Sequence, residues 1–321
     1  MIVTRAREIA DDVLFPAALA VDRADRVPAS HLDLLASAGL YGAPVTDGMD
    51  LAGLGGIAEA LASGCLTTAF VWIQGITPLV TAVREGREDL AAALASGTRR
   101  AGIGLAGLRS PQDPMRVRAT DSGFVLSGTV PWVTGWDMID YVYVAARDDR
   151  DVIHFLLIDA VAAPSLTAEP LELVAVQASG TVNLTFADHL VPASALMMTE
   201  SMDEWSAHDS TGSTLNGFLS LGLVNRCCRL IGPSPLDAQL DAARADLLAA
   251  GEDRIAAARA RASELAMRAA SAVAVSTGAR AVRLDQHAQR LIREAAFLLV
   301  FGSRPTIKAA LLSRLEHPPA E

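Results

Sequence analysis

Lysine is almost missing from this chain: Lys308 is the only one, and every other basic residue is an arginine. No basic run occurs, and 37 acids against 27 bases give a net charge of −10, which argues against a nucleic-acid partner. Aromatics are scarce at 5%, although 51% of residues are apolar. The apolar content is therefore mostly Ala, Leu and Val, a composition that suits packed helices. Only three cysteines are present, Cys65, Cys227 and Cys228. They show neither a disulfide framework nor metal-ligand spacing, so no metal centre is expected and a reducing cytoplasm fits. The opening stretch MIVTRAREIADDVLFP carries acids among its apolar residues and lacks a small-residue cleavage pattern, so it does not read as a signal peptide. No run of about 18 uncharged apolar residues is visible, so no membrane span is expected. A phosphate loop, a Gly-x-Ser-x-Gly elbow and a nucleophile triad are also absent.

What is present falls into three zones. A chain of 321 residues is long for a single core, so two or three subdomains are expected. Residues 1–100 read as a helical domain. Within it, PASHLDLLASAGLYG places Ser30 as a candidate N-cap with Asp33 at N3, and Gly39 or Gly42 can stop that helix. Two Ala- and Leu-rich helices follow, near 54–85 and 87–98. Residues 101–197 switch to short β-branched segments separated by Gly, Asp and Pro, which predicts an antiparallel sheet or small barrel. Residues 198–321 return to helical period, with segments near 206–231, 235–250, 252–277 and 284–316. Gly232-Pro233, Gly251 and Gly278 punctuate them, and four such helices suggest an antiparallel bundle. The fold class is thus α+β, ordered helical, β, helical.

One stretch of the β zone stands out, SGTVPWVTGWDMIDYVYVAAR at 127–147. Residues two apart on a strand face the same side. Trp132 and Thr134 then pair a flat apolar wall with a hydroxyl, which suits a flat cofactor and equally suits a core.

Four segments together resemble the acyl-CoA dehydrogenase family, across nearly the whole chain. VPASHLDLLASAGLYGAPV is similar to its early helix and Gly-Leu turn. GFVLSGTVPWVTGWDMIDYVYVAAR resembles its strand and Trp-Ile-Thr-Asn segment, with Ser127 in place of an Asn. VQASGTVNLTFADHLVPASALM resembles the Ser-x-Thr and Phe-x-Asp segment ending its sheet. QRLIREAAFLLVFGSRPTIKAALL resembles its last helix. The resemblance implies an N-terminal helical domain, a central antiparallel β domain and a C-terminal four-helix bundle. It also implies FAD, an acyl-CoA or related thioester as substrate, and assembly as a homo- or hetero-oligomer, dimer or tetramer. On it, Trp132 stacks near the isoalloxazine and Thr134 bonds near N5 or O4, since a flavin needs an apolar face and a few fixed polar groups.

The departures carry equal weight. The Arg-x-x-Phe-Gly segment that meets the pyrophosphate in the family is replaced by CCRLIGPSPLDAQL. The Gln-x-x-Gly-Gly-x-Gly stretch is reduced to VSTGARAV. There Gly278 and Arg280 remain for a phosphate, or serve as a helix stop and a solvated charge. The catalytic Glu of the family aligns with Phe301, which cannot take a proton. Glu204 and Asp209, near the family's alternative base position, are the surrogate carboxylates, and both also suit a polar connector or helix start. Arg304 and Lys308 lie one turn apart and face either a CoA phosphate or solvent. His154, His189 and His208 belong to no ligand cluster.

The principal expectation is a flavin-linked acyl-CoA dehydrogenase-like oxidoreductase. Three alternatives stand beside it: a non-catalytic subunit whose partner supplies the base, a flavin monooxygenase of the same fold, and a flavin-free binding protein.

Overall fold

The computed structural model describes residues 1–109, 114–208, 214–302 and 304–317. Seven helices lead: α1 (Ile2–Ile9), α2 (Phe15–Val21), α3 (Ala29–Ser37), α4 (Leu51–Gly64), α5 (Leu66–Ile73), α6 (Ile76–Arg84) and α7 (Glu88–Ser96). A π-helical turn, Ala10–Leu14, joins α1 to α2. Eight strands follow: β1 (Ala101–Gly104), β2 (Arg116–Thr120), β3 (Gly123–Val133), β4 (Tyr141–Arg147), β5 (Val152–Asp159), β6 (Leu166–Pro170), β7 (Val182–Pro192) and β8 (Leu196–Ser201). The closing helices are α8 (Met202–His208), α9 (Thr214–Ile231), α10 (Pro235–Ala249), α11 (Ile255–Thr277), α12 (His287–Val300) and α13 (Pro305–Glu316).

Local chemistry explains several boundaries. Asp50 caps α4 by accepting from the Gly53 N–H at 2.7 Å. Ser234 and Asp237 form a reciprocal capping box at the start of α10, with Pro235 at the first helical position. Ser30 does not cap α3. That helix begins one residue earlier, behind Pro28, whose extended ψ of 133° ends the preceding segment. The predicted 54–85 helix is three helices, broken where Cys65 turns extended and again at Gln74-Gly75. The predicted 284–316 helix is two, interrupted at Phe301–Gly302, where Gly302 has φ +60°. Leu66–Arg84 spans 19 residues and is long and apolar enough to cross a bilayer, but 72% of its apolar stretch is buried within the protein.

The sheet runs β6-β7-β3-β2-β4-β5-β8, with β1 beside β4. The expected antiparallel arrangement is mixed: β1 and β2 both pair with β4 in parallel. The short helix-like turn Ala106–Arg109 follows β1. The sheet encloses its own core, including Val117, Leu126, Val130, Val144 and Leu184.

The helices before and after the sheet share a single core, from Ala6 and Leu14 through Phe218 and Leu265 to Leu298. Their most extensive packing is α4 against α9. Several charged groups inside this assembly are paired. Arg290 grips Glu294 with Nη1 at 2.6 and 2.7 Å, and both are almost fully buried. Burial pushes the Glu294 carboxyl up while Arg290 pulls it back. Glu59 receives Arg244 at 2.8 and 2.9 Å and Asn225 at 3.0 Å. Truncating one member of such a pair leaves the other charge buried and is far costlier than replacing both.

Candidate functional site

The β3–β7 ladder pairs Val130 with Leu184 and Val133 with Val182. Two residues of β3 therefore oppose one of β7, which is a β-bulge. Trp132 is the bulged residue and sits at φ +62°, in the left-handed region that bulky side chains rarely adopt. The bulge turns its indole out of the sheet, 57% exposed.

Thr134 lies beyond the end of β3 and faces the opposite way, at 1% exposure. Its hydroxyl is 3.1 Å from that of Thr181, which is 2.8 Å from Ser179. The three hydroxyls form a buried chain where the segment after β3 crosses the segment before β7. Backbone bonds from Gly135 to Ser179 and from Trp136 to Gly180 fix that crossing. The pair expected on one face is therefore split, because alternation fails across a bulge and a strand end.

An exposed indole on a rigid strand fits the face of a flat ring system such as a flavin. The Thr134 hydroxyl does not offer itself to such a ring in this arrangement, since it is sealed and committed to Thr181.

Gly278 ends α11 at φ +70°, ψ −153°, a conformation essentially reserved for glycine, and no atom lies within 4 Å of where a Cβ would stand. Arg280 follows on the exposed turn Gly278–Val282. Both residues thus occupy one open turn.

Phe301 stands at the break between α12 and α13. Its ring stacks on Phe297 at 5.3 Å and 13°, and Phe70 of α5 meets both edge-on, at 4.9 and 5.1 Å. Its carbonyl accepts from Arg259 Nη2 at 3.2 Å. None of these recorded contacts of Phe301 is a carboxylate. Arg259 is 1% exposed, and its Nε and Nη1 have no hydrogen-bond partner. Burial, helped by nearby Arg304, pushes its pKa down to about 10. Sequence reasoning missed this arginine, because nothing in IAAARARASELAM distinguishes a buried Arg259 from a solvated one.

The surrogate carboxylates fare differently. Asp209 lies outside the described residues. Glu204 accepts from the backbone N–H and hydroxyl of Ser201, and Ser201 accepts in return from the Glu204 N–H. That capping box accounts for Glu204 as the start of α8. Lys308 is exposed on α13. His154 bonds Asp148 at 3.1 Å and His189 bonds Ser165 at 2.9 Å. Among the described residues no group of three or more His, Cys, Asp or Glu could hold a metal ion.

No protein-family model matches the chain. Bovine mitochondrial short-chain specific acyl-CoA dehydrogenase is 27% identical over 220 residues, 61% of this chain and 52% of the relative. The human counterpart is 26% identical over the same length. The chain thus spans about half the length of the curated relatives it matches. Among solved structures, butyryl-CoA dehydrogenase from Megasphaera elsdenii superposes with a TM-score of 0.83 at 18% identity, covering 97% of this chain and 95% of that one. Glutaryl-CoA dehydrogenase from Mycobacterium smegmatis, in complex with FADH2, gives 0.80 at 17%, covering 99% and 94%.

Proposed function

We propose that this chain, similar in sequence and fold to acyl-CoA dehydrogenases, is a flavin-linked oxidoreductase of that family acting on an acyl-CoA thioester. The observation that carries this reading is Trp132. A strained bulge presents its indole to solvent, and the resemblance sets this residue beside the isoalloxazine. A bound flavin would accept hydride from the substrate's β-carbon. The chain itself supplies the apolar face of Trp132 and, from the open turn at the end of α11, the Arg280 charge for a phosphate. The aromatic trio Phe70, Phe297 and Phe301 makes the surroundings of position 301 apolar. Phe301 takes no proton, so α-proton removal is the step this chain supports least.

Phe301 also favours a second reading, a subunit whose partner supplies the base. In either case we place subunit contacts on the C-terminal helices. Val275 and Val300 on α11 and α12, and Val282 and Leu284 on the turn between them, are 82%, 71%, 82% and 65% exposed, which supplies apolar surface for such contacts. The three cysteines are free and buried, which supports a reducing compartment such as the cytoplasm.

The test is the visible spectrum of the purified chain, alone and after adding FAD. Flavin bands that bleach anaerobically with butyryl-CoA support the first reading. Bands that bleach only when a second, Glu-bearing homologue is added support the second. A chain that takes up no flavin in either setting overturns both.

A further inference from the structure

The outer face of the central sheet carries a separate concavity of about 360 Å³, within the size range of small-molecule sites. Strand register explains its lining. Arg116 and Arg118 lie two apart on β2 and share a face. Arg116 is the register partner of Ser127 on β3 and of Arg147 on β4. Directly opposed residues project to the same side of a sheet, so three guanidinium groups converge there. Val117 and Leu126 point the other way, into the core.

Like charges on adjacent strands repel unless something anionic lies among them. Arg147 Nε reaches Asp151 at 3.3 Å. Arg116 and Arg118 make no ion pair among the described residues. Two carboxylates line the same pocket, Asp149 and Asp188. The Ser127 hydroxyl donates to Asp188 at 2.7 Å, which fixes that carboxylate in place. Three arginines against two aspartates leave the lining positive, with donors and acceptors side by side. Val125, partly buried, adds an apolar strip.

That combination selects a ligand class. Guanidinium forks bind phosphate oxygens bidentately. The exposed aspartates offer acceptors for N–H or O–H donors, which inorganic phosphate and diphosphate at neutral pH supply poorly and a ribose or an amino-bearing base supplies well. We propose that this pocket binds the phosphorylated end of a nucleotide. Ser127 lies five residues before Trp132 on β3, roughly 16 Å at the rise of a strand, so this pocket lies apart from Trp132. Two sources present the chemistry: the 3′-phosphoadenosine diphosphate end of coenzyme A, and a free nucleoside diphosphate.

Isothermal titration calorimetry of the full chain with 3′,5′-ADP, 5′-ADP and pyrophosphate tests this. Both nucleotides are expected to bind more tightly than pyrophosphate. The Arg116→Gln/Arg118→Gln double variant should weaken them by about tenfold or more, while Arg150→Gln on the neighbouring turn should not. Arg116 and Arg118 are exposed, so folding is retained, and near-UV circular dichroism checks it. A preference for 3′,5′-ADP assigns the coenzyme A end, and a preference for 5′-ADP assigns the free nucleotide. Pyrophosphate binding as tightly as either nucleotide overturns the proposal. So does an affinity unchanged in the double variant, or no nucleotide binding at all. The measurement needs neither flavin nor turnover, so its outcome is independent of the dehydrogenase reading.

Discussion

The Arg259 guanidinium donates to the backbone carbonyl of Phe301 at 3.2 Å, from a site that is 1% exposed and, among the described residues, holds no carboxylate partner for it. A cation therefore lies beside Phe301, the residue that the resemblance sets at the family's base. A carboxylate installed at 301 would be raised in pKa by the aromatic surroundings and lowered by Arg259. Phe301→Glu is expected to speed anaerobic flavin reduction by butyryl-CoA by about a hundredfold or more, the usual worth of general-base catalysis. Phe301→Gln, similar in size but without a base, should give no gain. Stopped-flow absorbance on flavin-loaded protein decides it. Equal rates for the two variants would show that position 301 is not where the proton leaves.

Trp132 holds a backbone angle that suits glycine, at φ +62°. Residues kept in sparsely populated regions cost on the order of 1–3 kcal/mol. Trp132→Gly removes that strain and, because the indole is mostly exposed, loses little packing. The variant should therefore melt no lower than the parent while binding FAD more weakly. Differential scanning fluorimetry and flavin fluorescence titration give the two readings. A large drop in melting temperature would instead make Trp132 a packing residue.

Acid should destabilise the protein through His287. Its ring stacks on Phe15 at 4.3 Å and accepts from Arg290 through Nδ1 at 3.3 Å. Burial, with Arg290 and Arg226 nearby, pushes its pKa down to about 4. An unfolded histidine titrates near 6.5, so between these values the unfolded chain binds more protons. The contribution is complete above about pH 6.5 and is lost as pH falls toward 4. Partial exposure of the ring limits it to about 1–2 kcal/mol. His287→Gln should flatten the fall in melting temperature across that window. A slope unchanged in the variant would assign the acid sensitivity elsewhere.

The helical, β, helical order was legible because hydrophobic period changes near residue 101 and again after Pro192. The whole-length likeness in fold agrees with that order. The failures have physical causes. Cys65 breaks a helix at a residue with no turn chemistry, because packing of α4 and α5 against α9 decides the angle. Trp132 and Thr134 separate because one inserted residue reverses alternation, and nothing in PWVTG marks the bulge. The parallel pairings of β4 are long-range choices that local pattern does not encode. The expectation that Phe301 stands in place of a base rests on resemblance alone, and Arg259 beside it emerges only in three dimensions.

Gly222 sets the distance between α4 and α9, and its substitution should reverse the usual preference of helices. Glycine to alanine inside a helix ordinarily stabilises by about 1 kcal/mol. At Gly222 a Cβ would lie 2.4 Å from the Glu59 carbonyl oxygen and 2.6 Å from the Ala62 Cβ, both on α4. Backbone cannot yield there without moving α9. One turn on, Arg226 donates to the Ser63 carbonyl at 2.7 Å and Asn225 to Glu59 at 3.0 Å, so any retreat of α9 stretches both bonds. Overpacking of this kind costs about 1–3 kcal/mol, and the loosened bonds add to it. Gly222→Ala is thus expected to lower the melting temperature. Gly56→Ala should raise it slightly or leave it unchanged, since its nearest obstacle is a Val3 methyl at 3.2 Å that can shift. Chemical denaturation of both variants reads the two signs. A Gly222→Ala protein as stable as the parent would mean that the two helices pack less closely than described.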